Sequence, residues 1–332
     1  MNMDKNQPDR ATIRVALEVA CRAPSVHNTQ PWRWMIADHS VHLFADRTRR
    51  LPVIDHDGRE LVTSCGAALH HARIAFRGLG WKPTVHRLPN PADPDHLAAI
   101  ELTPLPRIDR HVLALVSATA TRRSDRRPFL PDALPDPLLA QLVAGVLAEG
   151  VGFTVLQPPA ARREVVVALA HAEATQRADP MYQGELAEWT HSRLGAVHGV
   201  PARNVPARSA FDRGTPGRDF GIGELENPPP LDDGALLCVL STTVDGAKHW
   251  LRVGEALSAV TLTAAANGVA SCTLSQVAEV RATRDLVRRF ALGGIGEPQV
   301  VVRLGWPATA TYPGEMTPRR PIEDVVSQWP DE

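Results

Sequence analysis

The sequence predicts an α+β chain made of two unequal tandem halves, and three observations predict it. A segment starting at Asp57-Gly58, DGRELVTSCGAALHHARIAFRGLGW, returns without a gap 188 positions later at Asp245-Gly246 as DGAKHWLRVGEALSAVTLTAAANGV. A strand-like apolar run follows each copy, at residues 97–102 and 299–304. Two polar loops are shared out unequally, so that each half carries one that the other lacks.

The two copies agree at Asp57/Asp245, Gly58/Gly246, Gly66/Gly254, Ala68/Ala256, Leu69/Leu257 and Gly80/Gly268. Both read as helices with small residues along one face, each closing at a glycine suited to a left-handed cap. Self-similarity at a fixed offset marks duplication more strongly than shared Ala/Leu content does. The first half, residues 1–108, opens with an amphipathic helix over 11–21 and runs into Ala23-Pro24-Ser25-Val26-His27-Asn28-Thr29-Gln30-Pro31-Trp32. The second half, residues 109–332, opens with a helix over 109–120 and then reads Arg122-Arg123-Ser124-Asp125-Arg126-Arg127-Pro128-Phe129. A helix over 137–148, a strand over 152–156 and a helix over 163–177 follow, and an apolar strand at 235–241 precedes the second repeat copy.

Between them, residues 179–233 are rich in Gly, Pro and Arg and show little periodicity. A stretch of this length without pattern inside a domain is a lid, a binding loop or a disordered insert. Met181, Tyr182, Trp189 and Phe220 give it surfaces with which to dock, which favours a lid.

Bulk properties exclude several classes. The 332 residues are 44% hydrophobic and 22% charged, with a formal charge of −1, so no global field draws the chain to nucleic acid or anionic membrane. The polar opening MNMDKNQPDR lacks the apolar core of a signal peptide. The longest apolar runs, at 235–240 and 165–170, fall far short of the roughly 20 residues that span a bilayer. Cys21, Cys65, Cys238 and Cys272 are scattered, which argues against zinc or a disulfide framework and for a reducing, cytoplasmic setting; they read as small buried residues. His70-His71 and His39/His42 lack carboxylates or cysteines at ligand spacing, so no metal site is expected. Gly293-Gly294-Ile295-Gly296 is neither a dinucleotide fingerprint nor a phosphate loop.

Four segments can carry chemistry. The arginines at 122, 123, 126 and 127, with Ser124 between them, fit either a phosphate fork or a solvated basic run. In the 23–32 loop, Pro24 and Pro31 stiffen the backbone while Ser25, Asn28 and Gln30 offer neutral donors and acceptors beside Trp32. That suits a heteroaromatic ring, or equally a capped connection over a buried Trp. Residues 267–276, ending Leu274-Ser275-Gln276, form a loop of small residues that lets a flat ligand approach the backbone. Thr317-Pro318-Arg319-Arg320-Pro321 is a proline-fixed basic pair, or a surface turn.

Taken together, these four segments resemble the nitroreductase superfamily of FMN-dependent oxidoreductases. Residues 23–32 are similar to its Ala-Pro-Ser-x-x-Asn-x-Gln-Pro-Trp segment, Arg122-x-Ser124-x-Arg126 to its Arg-x-Ser-x-Arg opening, residues 268–276 to its glycine region, and Pro318-Arg319-Arg320 to its basic tail. The resemblance implies a three-layer α/β/α nitroreductase fold, with a flavin site formed where two subunits meet. Here the two contributions lie in one chain, as in the Acg-like branch of single-chain pseudo-dimers, so one FMN per chain is expected.

The resemblance implies that Arg122 with Arg319 or Arg320 neutralises the phosphate, and that Ser124 holds a phosphate or ribityl oxygen. Arg126 would lie near N1 and O2 of the flavin, and Pro24, Ser25, Asn28 and Gln30 would approach from the other half. A backbone N–H near Ser275 or Gln276, next to Leu274, would face N5. It further implies ping-pong hydride transfer from NAD(P)H to a small nitroaromatic or quinone-like acceptor, with no protein acid or base. A lid over the flavin would instead make an FMN-sequestering protein with little turnover. Either a monomer or a homodimer is compatible with the pattern. Arg122→Ala is expected to weaken FMN binding far more than Arg49→Ala, Arg49 lying in a basic run with no matching motif.

Overall fold

The structure is a computed structural model and describes residues 6–190, 196–207, 215–227, 232–309 and 316–330. The chain begins with α1 (Arg10–Ala20), capped by the Asp9 carboxylate, which accepts from the Thr12 N–H. The strands β1 (Trp32–Ile36) and β2 (Ser40–Ala45) follow, then the long helix α2 (Arg59–Gly78). β3 (Trp81–Arg87), β4 (His96–Pro104), α3 (Arg110–Thr121), α4 (Asp136–Ala148), β5 (Gly152–Val155) and α5 (Pro159–Arg177) come next. The chain continues with α6 (Pro180–Glu188), β6 (Leu236–Thr242), α7 (Ala247–Ala266), β7 (Ala270–Leu274) and α8 (Gln276–Glu279), and ends in α9 (Arg281–Ala291), β8 (Glu297–Gly305) and β9 (Val326–Gln328).

The strands form two sheets, ordered β3-β4-β2-β1-β9 and β5-β6-β8-β7. The second is buried on both faces, and its sequence shows why. In β6 and β8, Cys238, Leu240, Val300 and Val302 point to the α4–α7 side, while Leu237, Val239 and Val301 pack with α5, α8 and α9. A strand covered on both sides reads as a continuous apolar run, which is what residues 235–241 and 299–304 are. The first sheet packs one face on α1 and α2; its β3 alternates between half-buried and exposed residues.

The two repeat helices pack against each other at the centre. Their shared glycines meet there: a Cβ on Gly66 would lie 2.0 Å from the Leu251 carbonyl oxygen, and one on Gly254 would lie 1.9 Å from that of Thr63. One turn on, another aligned pair meets, with His70 Nδ1 2.8 Å from the Ser258 hydroxyl. Residues 188 apart thus face one another along the helix pair.

Charge also bridges the two regions. Glu255 of α7, fully buried, is bonded by Arg73 of α2 at 2.6 Å and by Arg87 of β3 at 2.7 Å, and Arg73 also reaches Glu149 at 2.7 Å. Burial pushes His70 down to about 3 and lowers its buried neighbour His71 as well, so both rings are neutral core groups. The four cysteines are buried and free.

Three features differ from the expectations. The last strand, β9, pairs parallel with β1 in the first sheet, so the tail crosses the division drawn at residue 108. Residues 267–276, expected to be a loop, contain β7 at the edge of the second sheet. The 179–233 stretch is not without structure, because α6 starts on an Asp179 cap with Pro180 at its first position. That Asp-Pro pair is a helix-start signal. Tyr182, Leu186, Trp189 and Phe220 dock on Leu51, Ile54, Val26 and Val53, whereas Met181 stays exposed. Residues 191–195, 208–214 and 228–231 of the same stretch lie outside the described residues.

Candidate functional site

The 23–32 loop turns sharply after α1. His27, Asn28 and Gln30 all have left-handed backbone, with φ of 45°, 56° and 51°. Such conformations in non-glycine residues persist only where surroundings fix them. Here the Ser25 hydroxyl accepts from the Gln30 N–H at 2.9 Å, and the Val26 N–H donates to the Ser64 hydroxyl at 3.1 Å.

The arginine segment begins where α3 ends, at Arg122, and runs alongside β7, where the Asp125 N–H donates to the Ser271 carbonyl at 2.9 Å. This contact carries Arg126 toward residues 272–276. The four arginines do not form one fork. Arg127 turns inward and donates two buried hydrogen bonds to the Asp125 carboxylate, at 2.9 and 2.8 Å. Arg122, Ser124 and Arg126 face the 23–32 loop instead.

Two cavities result, and Arg126 lines both. The smaller, about 80 Å³, is lined by Pro24, Ser25, His27 and Asn28 from one side and by Arg122, Ser124, Arg126 and Arg319 from the other. The larger, about 400 Å³, is walled by Arg126, Leu274, Ser275 and Gln276, with Gly217, Arg218 and Phe220 on its remaining side. Ten of the twelve residues singled out in the sequence therefore line one of these two spaces.

Gln30 and Arg320 do not. The Gln30 side-chain oxygen accepts from the Arg320 N–H at 2.8 Å, and Arg320 reaches the Gln30 carbonyl and the Asp324 carbonyl. This pair fixes the tail to the loop. Asn28 lines the cavity but spends its amide on protein groups, donating to the Pro318 and Gly199 carbonyls and accepting from Arg319 at 3.1 Å. Arg49 is not a bystander either. It donates to the Thr29 carbonyl and lies 5.4 Å from the Trp189 ring centroid, so it supports the same loop.

Electrostatically the smaller cavity is cationic and undercompensated. Neither Arg122 nor Arg319 has a carboxylate partner among the described residues, and the Nε of each is buried without an acceptor. Burial, reinforced by mutual repulsion, pulls Arg122 down to about 9. Arg319 is held at about 10, mainly by burial. A buried cation without a counter-charge is costly and marks an anion site.

The outer wall comes from residues 196–207 and 215–227. Arg126 donates to the Asn204 carbonyl at 3.2 Å, and its guanidinium carbon lies 4.6 Å from the Phe220 ring centroid. Arg218 is paired with Glu279 at 2.5 Å and bonds the Ser275 hydroxyl at 3.3 Å and the Tyr182 hydroxyl. Burial raises the Tyr182 phenol, which stays neutral. Sequence reasoning passed over His27, Asn204 and Arg218. His27 stood at an unassigned position of its motif, and the other two lay in a stretch without periodicity.

No family model matches the chain. Curated relatives cover nearly all of it. "Putative NAD(P)H nitroreductase Rv3131" of Mycobacterium tuberculosis (strain H37Rv) is 40% identical over 333 residues, covering 99% of this chain and 95% of that protein. "Putative NAD(P)H nitroreductase acg" of the same strain is 39% identical over 315 residues, covering 94% of each chain. Among solved structures, the FMN-dependent nitroreductase NfnB from Mycobacterium smegmatis in complex with NADPH is similar over 65% of this chain and 97% of that one, with 20% identity and a TM-score of 0.42. The chain belongs to the nitroreductase superfamily, within its Acg-like branch.

Proposed function

We propose that the chain is an FMN-dependent NAD(P)H oxidoreductase of nitroreductase type, built as an internal pseudo-dimer of residues 1–108 and 109–332 with one flavin site where the halves meet. The observation that carries this reading is the pair of unneutralised arginines, buried Arg122 and half-buried Arg319, lining one cavity, with a larger cavity on the other side of Arg126, which lines both. A phosphate monoester supplies the charge that both guanidiniums lack, and acceptor oxygens for Arg122, whereas Arg319 already donates from its terminal nitrogens to Asn28 and to backbone carbonyls and lacks an acceptor only at Nε. Ser124, whose hydroxyl has no protein partner among the described residues, adds a donor. The larger space suits a flat ring lying against Leu274, Ser275 and Gln276, and the buried Gln276 Nε2 is an unused donor there.

Bound FMN supplies hydride chemistry, accepting from NAD(P)H and passing on to a small electron-poor acceptor such as a nitroaromatic or quinone. The protein's part is to bind, orient and exclude water. Arg126 places a fixed cation between phosphate and ring spaces, which favours an anionic reduced ring. Phe220 and Arg218 wall the open side. That wall supports a second reading, in which residues 196–207 and 215–227 act as a lid and the protein holds FMN with little turnover. The relatives' printed names speak for the first reading, and the docked Phe220 and Arg218 for the second.

Anaerobic mixing of the FMN-loaded protein with NADH and with NADPH separates them. Bleaching of the flavin absorbance is expected. Bound FMN reduced by dithionite but by neither nucleotide selects the lid reading, and a protein that cannot be loaded with FMN removes both. Arg122→Ala is expected to weaken FMN binding by at least about tenfold, the scale of a lost charge-assisted hydrogen bond, while the exposed Arg107→Ala leaves it unchanged. Equal affinities would refute the phosphate assignment.

A further inference from the structure

His27 is not among the residues that the resemblance assigns to the flavin, yet it occupies an unusual place. It lines the smaller cavity, is 6% exposed, and neither ring nitrogen has a hydrogen-bond partner. Buried polar groups are almost always paired, so two orphaned nitrogens on one ring call for a missing partner. The backbone is held at a φ of 45°, inside a loop fixed by Ser25 and Ser64, which aims the ring and does not let it relax. Its ring makes an edge contact with Phe220, 5.6 Å between ring centroids at 64°, and Arg126 lies 4.6 Å from the centroid of that same phenyl ring. His27 and Arg126 thus share Phe220 as a neighbour, and Arg126 lines both cavities.

We propose that His27 is a ligand-binding residue for the polyol segment of the bound cofactor, using one ring nitrogen as donor and the other as acceptor. The inference rests on the FMN reading above. A neutral imidazole offers one N–H and one lone pair. The groups with matching chemistry between a phosphate and a ring are hydroxyls, each both donor and acceptor. The charged ends of the site are already served, since Arg122 and Arg319 face the phosphate space and Leu274–Gln276 the ring space. Burial holds the imidazole well below its ordinary range, and Arg218 and Arg126 add to this, which keeps it in the neutral form that the role needs. The groups facing it are Arg126 and Arg218 and the aromatic Phe220; among the described residues no carboxylate pairs with it.

The test uses the whole chain with FMN and, separately, inorganic phosphate. His27→Phe keeps the ring shape and the contact with Phe220 but removes both nitrogens, whereas His27→Gln restores a donor and an acceptor. FMN affinity is expected to fall about tenfold in His27→Phe, the worth of one or two hydrogen bonds, and to recover to within about threefold in His27→Gln. Stabilisation by inorganic phosphate, read as a shift in Tm, is expected to be the same in both variants and the parent. FMN affinity in His27→Phe within twofold of the parent would overturn the proposal, as would loss of phosphate stabilisation in proportion to FMN, because the residue would then serve only to shape the loop. Failure of the parent to bind FMN at all would count against the flavin reading itself and so against this one.

Discussion

At the scale of single residues, the site is defined by which cations are neutralised and which are not. Arg127 is paired with Asp125, Arg218 with Glu279 and Arg303 with Asp233, each buried and each with its carboxylate. Arg122 is equally buried and has none, and the half-buried Arg319, whose Nε is enclosed, has none either. The difference has a pH signature. An anion bound beside Arg122 favours the charged guanidinium and so raises its affinity for the proton. Below the free-state value of about 9 the proton is already present, and binding should not depend on this group. Above it, binding must take up a proton, and affinity should fall by about tenfold per pH unit. Arg319, at about 10, adds a second uptake at higher pH. A titration of FMN affinity from pH 7.5 to 10 is expected to be flat up to about 8.5 and to weaken beyond 9. Constant affinity to pH 10 would show that Arg122 keeps its proton across this range, as guanidiniums ordinarily do.

At the scale of elements, the α2–α7 pair sets the distance between the halves. Gly66 and Gly254 let the backbones touch, since a methyl at either would meet a carbonyl oxygen of the facing helix. No side chain can rotate away to relieve such a clash. Gly66→Ala and Gly254→Ala should each destabilise by about 2–3 kcal/mol, in the range of core overpacking. Gly184 in α6 is helical and has open space around its Cα, so Gly184→Ala should be neutral or stabilise by up to about 1 kcal/mol. Thermal melts of the three variants check the contrast, and equal Tm values would refute the close-packing account. The glycine register was legible in the sequence because an offset of 188 aligned those residues, though nothing in the sequence said that aligned residues would touch. The doubly covered strands β6 and β8 were legible as apolar runs. β1, β2 and β3 were not read, because each has one wetter face and β3 carries Pro83, which weakens a strand signal. In the site, charge was easier to read than direction: the sequence marked four arginines, but the path that turns Arg127 to Asp125 and leaves Arg122 facing the 23–32 loop runs beside Ser271, about 150 positions away, a non-local effect.

At the scale of the whole molecule, the question is whether the chain behaves as two domains or one. Several connections cross the division near residue 108. The tail leaves the second region, passes Arg319 and Arg320 beside the 23–32 loop, and ends as β9 against β1, with the Trp34 N–H donating to Val325 at 2.7 Å and the Trp329 N–H to Ile36 at 2.8 Å. Glu255 has no exposed surface and takes its counter-charges from Arg73 and Arg87 of the first region. Arg59 of α2 likewise reaches Asp245 at 3.0 Å and Gln299 of β8. Drawing the halves apart would strand Glu255 without its arginines, and breaking a buried pair by removing one side costs about 3–5 kcal/mol. It would also expose the glycine-lined faces of α2 and α7 together. Neither half can then be the stable end point of a partial unfolding step, and the chain should melt as one unit despite its two sheets. Calorimetry of the parent protein is expected to give a single transition whose van't Hoff and calorimetric enthalpies agree. Two resolved transitions, or a calorimetric enthalpy about twice the van't Hoff value, would mean that the cross-connections are weaker than the coupling the halves need to form one site.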